Sequence, residues 1–433
     1  MRRLLTIGLL LLACALLWAA ALPAAAQDAS EVTLTMWTHD GLYVQFFSAR
    51  AEEWQERHPD VNFTFEFEVV PSVFDKVLGN LAAGEEIPDL LGIEQGSFPR
   101  FMQGGIIESK FLDLTDLLAD DYDLIVEGRH TPYKYQGRVY GVDSSLCAVV
   151  YYYQPSIFED RGLSVPTTWD EYLETGAALA EEGIAMSYIT DHGGMFMMYL
   201  LQRGGAIFDE HGEFVLPEEE NRTIGIEVLN LLREGLDSGA IRYVPSAEVW
   251  GPAIMNAYRE GNLVGAIMPD WYSDYILKPQ AEDMAEQFRI GRMPIWDDGD
   301  GHKTSVWGGT GFAVAKENEN AQYAWELLQY TYVTLENQIK RYEEIAYYPT
   351  MAAAFHDDRI VGLSDPFYAG QKTGEVFAEI VDDVPIWYQS LFRRTFELQM
   401  AAELALFFDG SVTADEAIDN IVQYMEDEIA FAE

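Results

Sequence analysis

From Val61 to Val69 apolar and polar residues alternate without a break. Val61, Phe63, Phe65, Phe67 and Val69 fall on one side, Asn62, Thr64, Glu66 and Glu68 on the other. A period of two is that of a strand with one covered face. Residues 32–37 predict an earlier strand. Between the two, Phe47, Ala51 and Trp54 share one helical face, and the helix stops at His58-Pro59. Strand, helix and strand at this spacing predict a right-handed βαβ unit. A further helix is predicted over 72–83, ending at Gly84, and residues 87–93 form a buried strand that delivers Glu94, Gln95 and Gly96 at its end. Ligands of open α/β sheets gather beyond the C-terminal ends of the strands, so the loops 38–41 and 94–97 should share one rim of a cleft.

Leu146 to Tyr153 is an unbroken apolar and aromatic run, the composition of a strand covered on both faces. A short helix over 155–161 and a turn at Gly162 follow, and Pro166 holds the chain extended. Thr168 and Glu171 have the spacing of a capping box. The Thr168 hydroxyl would accept from the Glu171 N–H while the Glu171 carboxylate reaches back to the Thr168 N–H, starting a helix at Trp169. Beyond it, a strand over 184–189 runs into 190–194. An amphipathic helix over 223–236 turns Ile226, Leu229 and Leu232 inward. A strand over 263–268 delivers Pro269, Asp270, Trp271 and Tyr272. The glycine pair at 308–309 leads into a strand and then a helix over 320–332. Thr413 and Glu416 make a second capping box.

A single core stops growing at roughly 250–300 residues, so 433 residues predict two lobes. No linker, repeat or low-complexity tract appears, which fits lobes joined by several crossing strands. Residues 1–26 read as a secretory signal peptide: Arg2 and Arg3, an apolar stretch, then Ala24-Ala25-Ala26. Cys14, after Leu11-Leu12-Ala13, leaves a lipid anchor open. The mature chain then has Cys147 alone and no intramolecular disulfide.

The chain carries 27 basic and 72 acidic residues, a net charge of −45, and loss of Arg2 and Arg3 takes it to −47. Such a field disfavours nucleic acid and anionic membrane surfaces as partners. It also admits a cationic ligand. The seven histidines are scattered without metal-ligand spacing, and neither a Gly-x-Ser-x-Gly elbow nor a Walker-type Gly-Lys-Thr occurs. A two-carboxylate glycoside hydrolase stays open only because 72 acidic residues make some suitable pair nearly unavoidable. The reading calls for no catalytic residue, no metal and no cofactor.

The strand at 146–153, the short helix, the corner Pro166-Thr167-Thr168-Trp169-Asp170 and the helix after it resemble the family 1 extracellular solute-binding proteins of ABC importers, which include maltodextrin and other oligosaccharide binders. Gly84-Glu85-Glu86-Ile87-Pro88-Asp89, Arg203-Gly204-Gly205, Pro269-Asp270-Trp271, Trp307-Gly308-Gly309, Tyr347-Tyr348-Pro349 and the start of the last helix resemble the family's strings in the family's order. Pro269-Asp270-Trp271 keeps the family's Trp and loses its Gly. The resemblance implies an α/β, two-lobe periplasmic-binding-protein-like (type II) fold, each lobe a sheet flanked by helices, joined by hinge crossings. The expected N-terminal lobe is 27–143 with 312–346, and the C-terminal lobe 144–311 with 347–433.

It further implies a receptor, monomeric and not an enzyme, that is exported to the periplasm or cell surface. It would bind a sugar between its lobes and deliver it to the transmembrane subunits of an ABC permease. A receptor for a cationic solute such as a polyamine or peptide is the alternative. Sugars need aromatic faces for their C–H surfaces and polar partners for their hydroxyls. The aromatic candidates are Trp37, Trp271, Trp307, Tyr348 and Trp387, with Trp271 at the corner of the family's ring-stacking Trp. The polar candidates, each after an expected strand, are His39, Asp40, Glu94, Gln95, Asp143, Asp191 and His192. Arg393 and Arg394 are read first as neutralising nearby acids.

Overall fold

The structure is a computed structural model that describes residues 30–432; the expected signal peptide over 1–26 and Cys14 lie outside the described residues. Strand β1 (Ser30–Thr38), helix α1 (Gly41–Arg57) and strand β2 (Val61–Val69) form the expected βαβ unit, with β1 and β2 parallel over nine residue pairs. The apolar side of β2 turns toward α1, where Phe47 stacks on Phe65 at 6.1 Å. Helix α2 (Val73–Ala83), capped by the Ser72 hydroxyl, covers the other face of the sheet and leads to β3 (Leu90–Glu94). Strands β4 (Val142–Asp143) and β5 (Val149–Tyr153) come next. Every residue of β5 but Tyr153 is fully buried, as its unbroken apolar sequence requires.

Helix α3 (Trp169–Ala180) departs from the expected cap in one detail. The Thr168 hydroxyl does accept from the Glu171 N–H, at 3.3 Å, but the Glu171 carboxylate accepts from the N–H and hydroxyl of Thr167, at 2.8 and 2.9 Å. The preceding threonine offers two donors where the Thr168 backbone offers one. At the last helix the reciprocal box forms on Thr413 and Glu416 themselves. Strand β6 (Ser187–Ile189), helices α4 (Gly193–Arg203) and α5 (Glu219–Ser238), and strand β7 (Ile241–Tyr243) follow. Then come helix α6 (Pro252–Arg259) and the strands β8 (Gly265–Pro269), β9 (Arg289–Arg292) and β10 (Thr310–Val314). Helices α7 (Ala321–Tyr332), α8 (Leu335–Ile345), α9 (Arg393–Phe408) and α10 (Ala414–Ala432) complete the order used below.

Eight of these strands form two sheets, and β6 and β7 pair in parallel as a separate two-stranded sheet. One has the order β2-β1-β3-β10-β4, and the other has β5 between β8 and β9, both antiparallel to it. Each sheet has its own core. Leu34, Met36, Phe47 and Phe312 pack in the first, and Val150, Tyr152, Met198 and Ile267 in the second. The chain passes between the cores three times. Val142 belongs to the first and Leu146 to the second; Trp307 belongs to the second and Phe312 to the first; Tyr347 belongs to the first and Tyr348 to the second. The third passage is shared rather than sharp, because Ile339 and Tyr342 of α8 also pack in the second core.

Buried charge ties the passages together. Arg129 and Asp143 are both fully buried and pair at 2.7 Å, and Arg129 also donates to the Gly308 carbonyl at 3.1 Å. Asp143 Oδ1 accepts from the Ser144 and Ser145 N–H groups. Burial works against the Arg129 charge, and Asp143 together with Cys147, Tyr133 and Asp270 more than offsets that, so the guanidinium is held above its ordinary value. At the third passage Arg341, fully buried, donates to the carbonyls of Tyr347 and Tyr348 and to Gln338. Gly309, at φ +115°, is obligatory here, since a Cβ would stand 2.0 Å from Arg129 Nη2.

Close strand packing in the second sheet gives a direct test. A Cβ on Gly265 would lie 1.7 Å from the Tyr152 carbonyl oxygen, a backbone atom, so Gly265→Ala should destabilise by about 2–3 kcal/mol in urea unfolding. Gly79, exposed in α2 with open space at its Cβ, is the control: Gly79→Ala should stabilise by ~0.5–1 kcal/mol.

Candidate functional site

A cleft of about 760 Å³ opens between the two sheets, and the passages form its floor through Ser145, Cys147, Gly308, Gly309, Thr310 and Tyr347. The strand ends of the first sheet supply one wall. Asp40 caps α1 by accepting from the Leu42 N–H at 2.8 Å and also accepts from the Tyr347 hydroxyl, which fixes that ring at the third passage. Its neighbour His39 sets its ring edge-on to Tyr43, and the buried Nδ1 has no protein partner. Glu94 is exposed at the end of β3. Gln95 has its N–H pinned to the Gly309 carbonyl at 2.8 Å, and both atoms of its fully buried side-chain amide are without a protein partner. A buried amide left unpaired is unfavourable by roughly 1–3 kcal/mol, and this one belongs to a residue on the lining of the cleft. Ser97 and Arg100 continue this polar wall.

The facing wall is aromatic. Trp271, just after β8, donates its indole N–H to the Trp307 carbonyl at 2.9 Å, and the two rings meet at 5.9 Å and 63°. Gly308, at φ +80°, lets the chain turn against the Trp271 ring. Trp250 closes the corner, 5.8 Å from Trp271 and 6.3 Å from Trp307. Tyr275, on a wide turn at Ser273–Leu277, extends the wall outward. His192 lies 5.3 Å from Trp307 and accepts from the Gly194 N–H at Nδ1, leaving Nε2 to carry the ring proton. Burial lowers the His192 pKa and keeps the ring neutral.

Three carboxylates, Asp40, Glu94 and Glu397, and three guanidiniums, Arg100, Arg393 and Arg394, line the cleft. Glu397 pairs with Arg393 at 3.0 Å and more distantly with Arg394. The cleft is therefore balanced in charge although the chain as a whole is strongly acidic. Among the described residues no group of three His, Cys, Asp or Glu could hold a metal ion, and no helix is long and apolar enough to cross a membrane.

Of the sequence candidates, His39, Asp40, Glu94, Gln95, His192, Trp271 and Trp307 line the cleft. Five lie elsewhere. Trp37 points to the opposite face of β1 from Met36 and Thr38, as strand alternation dictates, and packs beside α2 with the Lys76 ammonium 4.2 Å over its ring. Asp143 is consumed by Arg129. Asp191 accepts from the Ser246 N–H at 2.7 Å and so anchors the loop that carries Trp250. Tyr348 stacks on Phe377 at 3.8 Å and donates to Thr373, while its neighbour Tyr347 faces the cleft. Trp387 is 2% exposed and supports Arg393, whose guanidinium sits 3.8 Å above the ring. Tyr43, Arg100, Trp250, Tyr275, Tyr347 and Glu397 were not singled out by the sequence reading. They reach the cleft from helices, loops and a crossing, where no strand end marks them.

A family profile described as bacterial extracellular solute-binding protein matches residues 49–362. The chain is 29% identical over 363 residues to the arabinooligosaccharide-binding protein of Halalkalibacterium halodurans, covering 81% of this chain and 79% of that one. It is 25% identical over 378 residues to the arabinooligosaccharide-binding protein of Bacillus subtilis, covering 85% and 86%. In structure it is similar to the sugar-binding protein MalE from Xanthomonas citri, with a TM-score of 0.75 at 15% identity over 93% of this chain and 98% of that one. The two-lobe fold is thus that of solute-binding proteins.

Two carboxyls beneath the cleft titrate in an accessible range, Asp143, which burial raises to about 6 against the pull of Arg129, and Asp270. Asp270 accepts from the Cys147 N–H at 3.1 Å through Oδ2, its Oδ1 is buried without a partner, and burial raises its pKa to about 7. A carboxyl whose folded pKa exceeds its unfolded one binds more protons when folded, so its contribution to stability falls as pH rises from about 4 to 7. Asp270→Asn mimics the protonated form. The Tm advantage of Asp270→Asn over the unmodified chain should widen between pH 5 and pH 8, by the equivalent of about 2–3 kcal/mol.

Proposed function

The chain belongs to the bacterial extracellular solute-binding protein family, and on that premise we propose that it is the receptor of an ABC importer that takes a neutral oligosaccharide in its cleft and delivers it to the permease. The division of the cleft into an aromatic wall and a polar wall carries this reading. A sugar ring has C–H faces and hydroxyl edges, and it is served on one side by Trp271 and Trp307 and on the other by Glu94, Gln95 and Arg100. The names of the two relatives, arabinooligosaccharide-binding proteins, support an oligosaccharide. Export, a monomeric receptor and the lobe boundaries near 143, 312 and 346 belong to the same reading.

Charge argues against the cationic solute. Asp40 is taken up by Leu42 and Tyr347, and Glu397 by Arg393 and Arg394, which leaves Glu94 as the one unengaged carboxylate of a lining that also holds Arg100, itself paired with Asp75 at 3.6 Å. Such a lining does not attract a polyamine, so the acidity of the outer surface acts as a solubilising field. The ligand closes the lobes by binding the closed arrangement better than the open one.

A thermal-shift screen of the mature protein against arabinose, arabinotriose, maltotriose and spermidine, at low and high salt, tests the reading. A ligand at 100 times its Kd adds about 2.7 kcal/mol, seen as a rise of a few degrees. The expected outcome is a rise with a sugar that salt leaves unchanged; a rise with spermidine alone, lost in salt, would install the cationic reading. Trp271→Ala should weaken the sugar by ~1–3 kcal/mol in calorimetry, with the fold retained.

A further inference from the structure

We propose that Trp250 is a movable clamp that decides which carbohydrates the cleft retains, an inference that rests on the carbohydrate reading above. In this structure its ring fills the corner made by Trp271 and Trp307, at centroid distances of 5.8 and 6.3 Å and inclinations of 56° and 35°. Those are distances of rings in mutual contact. A sugar unit gripped between two rings needs a contact distance of roughly 3.5–4 Å on each side, so the rings must part before it can enter.

Trp250 is built to be the ring that moves. Trp307 is 8% exposed and its carbonyl holds the Trp271 indole, whereas Trp250 is 39% exposed and its indole N–H has no protein acceptor among the described residues. The backbone beneath it is fixed. Asp191 accepts from the Ser246 N–H, the Val244 N–H donates to Ile189 at 2.9 Å, the Gly251 N–H donates to Glu248 at 2.9 Å, and Val249 is 2% exposed. An anchored loop with a free side chain confines the motion to two side-chain torsions. The ring can swing outward, admit a sugar unit onto Trp271 and Trp307, and cover its outer face at little entropic cost.

The test is to measure Kd by calorimetry and association and dissociation rates by surface plasmon resonance, with arabinotriose and maltotriose as probes. The unmodified chain, Trp250→Ala and Trp250→Phe are compared, with Tm recorded for each. The expected result is dissociation from Trp250→Ala about tenfold faster, with association as fast or faster, and partial recovery in Trp250→Phe. A Trp250→Ala chain that keeps the unmodified Kd and dissociation rate would overturn the clamp and leave the carbohydrate reading standing. If the unmodified chain binds neither sugar, both fall.

Discussion

One buried ion pair ties two of the passages between the lobes together. Arg129 and Asp143 sit at 0% exposure where the chain passes between cores, and the same guanidinium reaches the Gly308 carbonyl of the second passage. Removing either partner would leave the other buried and uncompensated, a loss of several kcal/mol. Two features follow from the pair. Residue 309 must be glycine, because the guanidinium occupies the space of a side chain. Trp307 is then fixed one residue before Gly308, so the aromatic corner is built on the hinge itself and not on a loop free to drift.

The cleft inherits its chemistry from this arrangement. The first sheet ends in short polar loops, and the second ends against rings gathered from three distant parts of the chain. Neither wall alone satisfies a sugar, since one lacks stacking surface and the other lacks enough donors. Gln95 has its side-chain amide buried and unpaired within the polar wall. In the proposed function, closure would bring both walls onto the same ligand by bending at the passages that join the lobes.

Much of the fold was legible in the sequence because burial follows period. The alternation of 61–69 marked a strand with one covered face, and the unbroken run up to Tyr153 marked a strand covered twice. Cleft-lining residues were legible where a strand end delivered them, as with His39, Glu94, Gln95 and Trp271. Parity defeated the choice at two positions: Trp37 faces away from the cleft by strand alternation, and Tyr348 turns into the core while Tyr347 faces out. Trp250, Tyr275, Arg100 and Glu397 left no local signal, since their place depends on how helices and loops from separate parts of the chain are brought together. Asp143 illustrates the opposite trap, a carboxylate after a strand whose role is to hold an arginine.

Small-angle scattering of the mature protein, with and without a sugar that raises its Tm, tests most directly whether the two walls close on the ligand. A smaller radius of gyration in the bound state, saturating with the same Kd as calorimetry, is the expected result. Saturating sugar with an unchanged radius of gyration would contradict it, and would mean that the aromatic and polar walls bind without coming together.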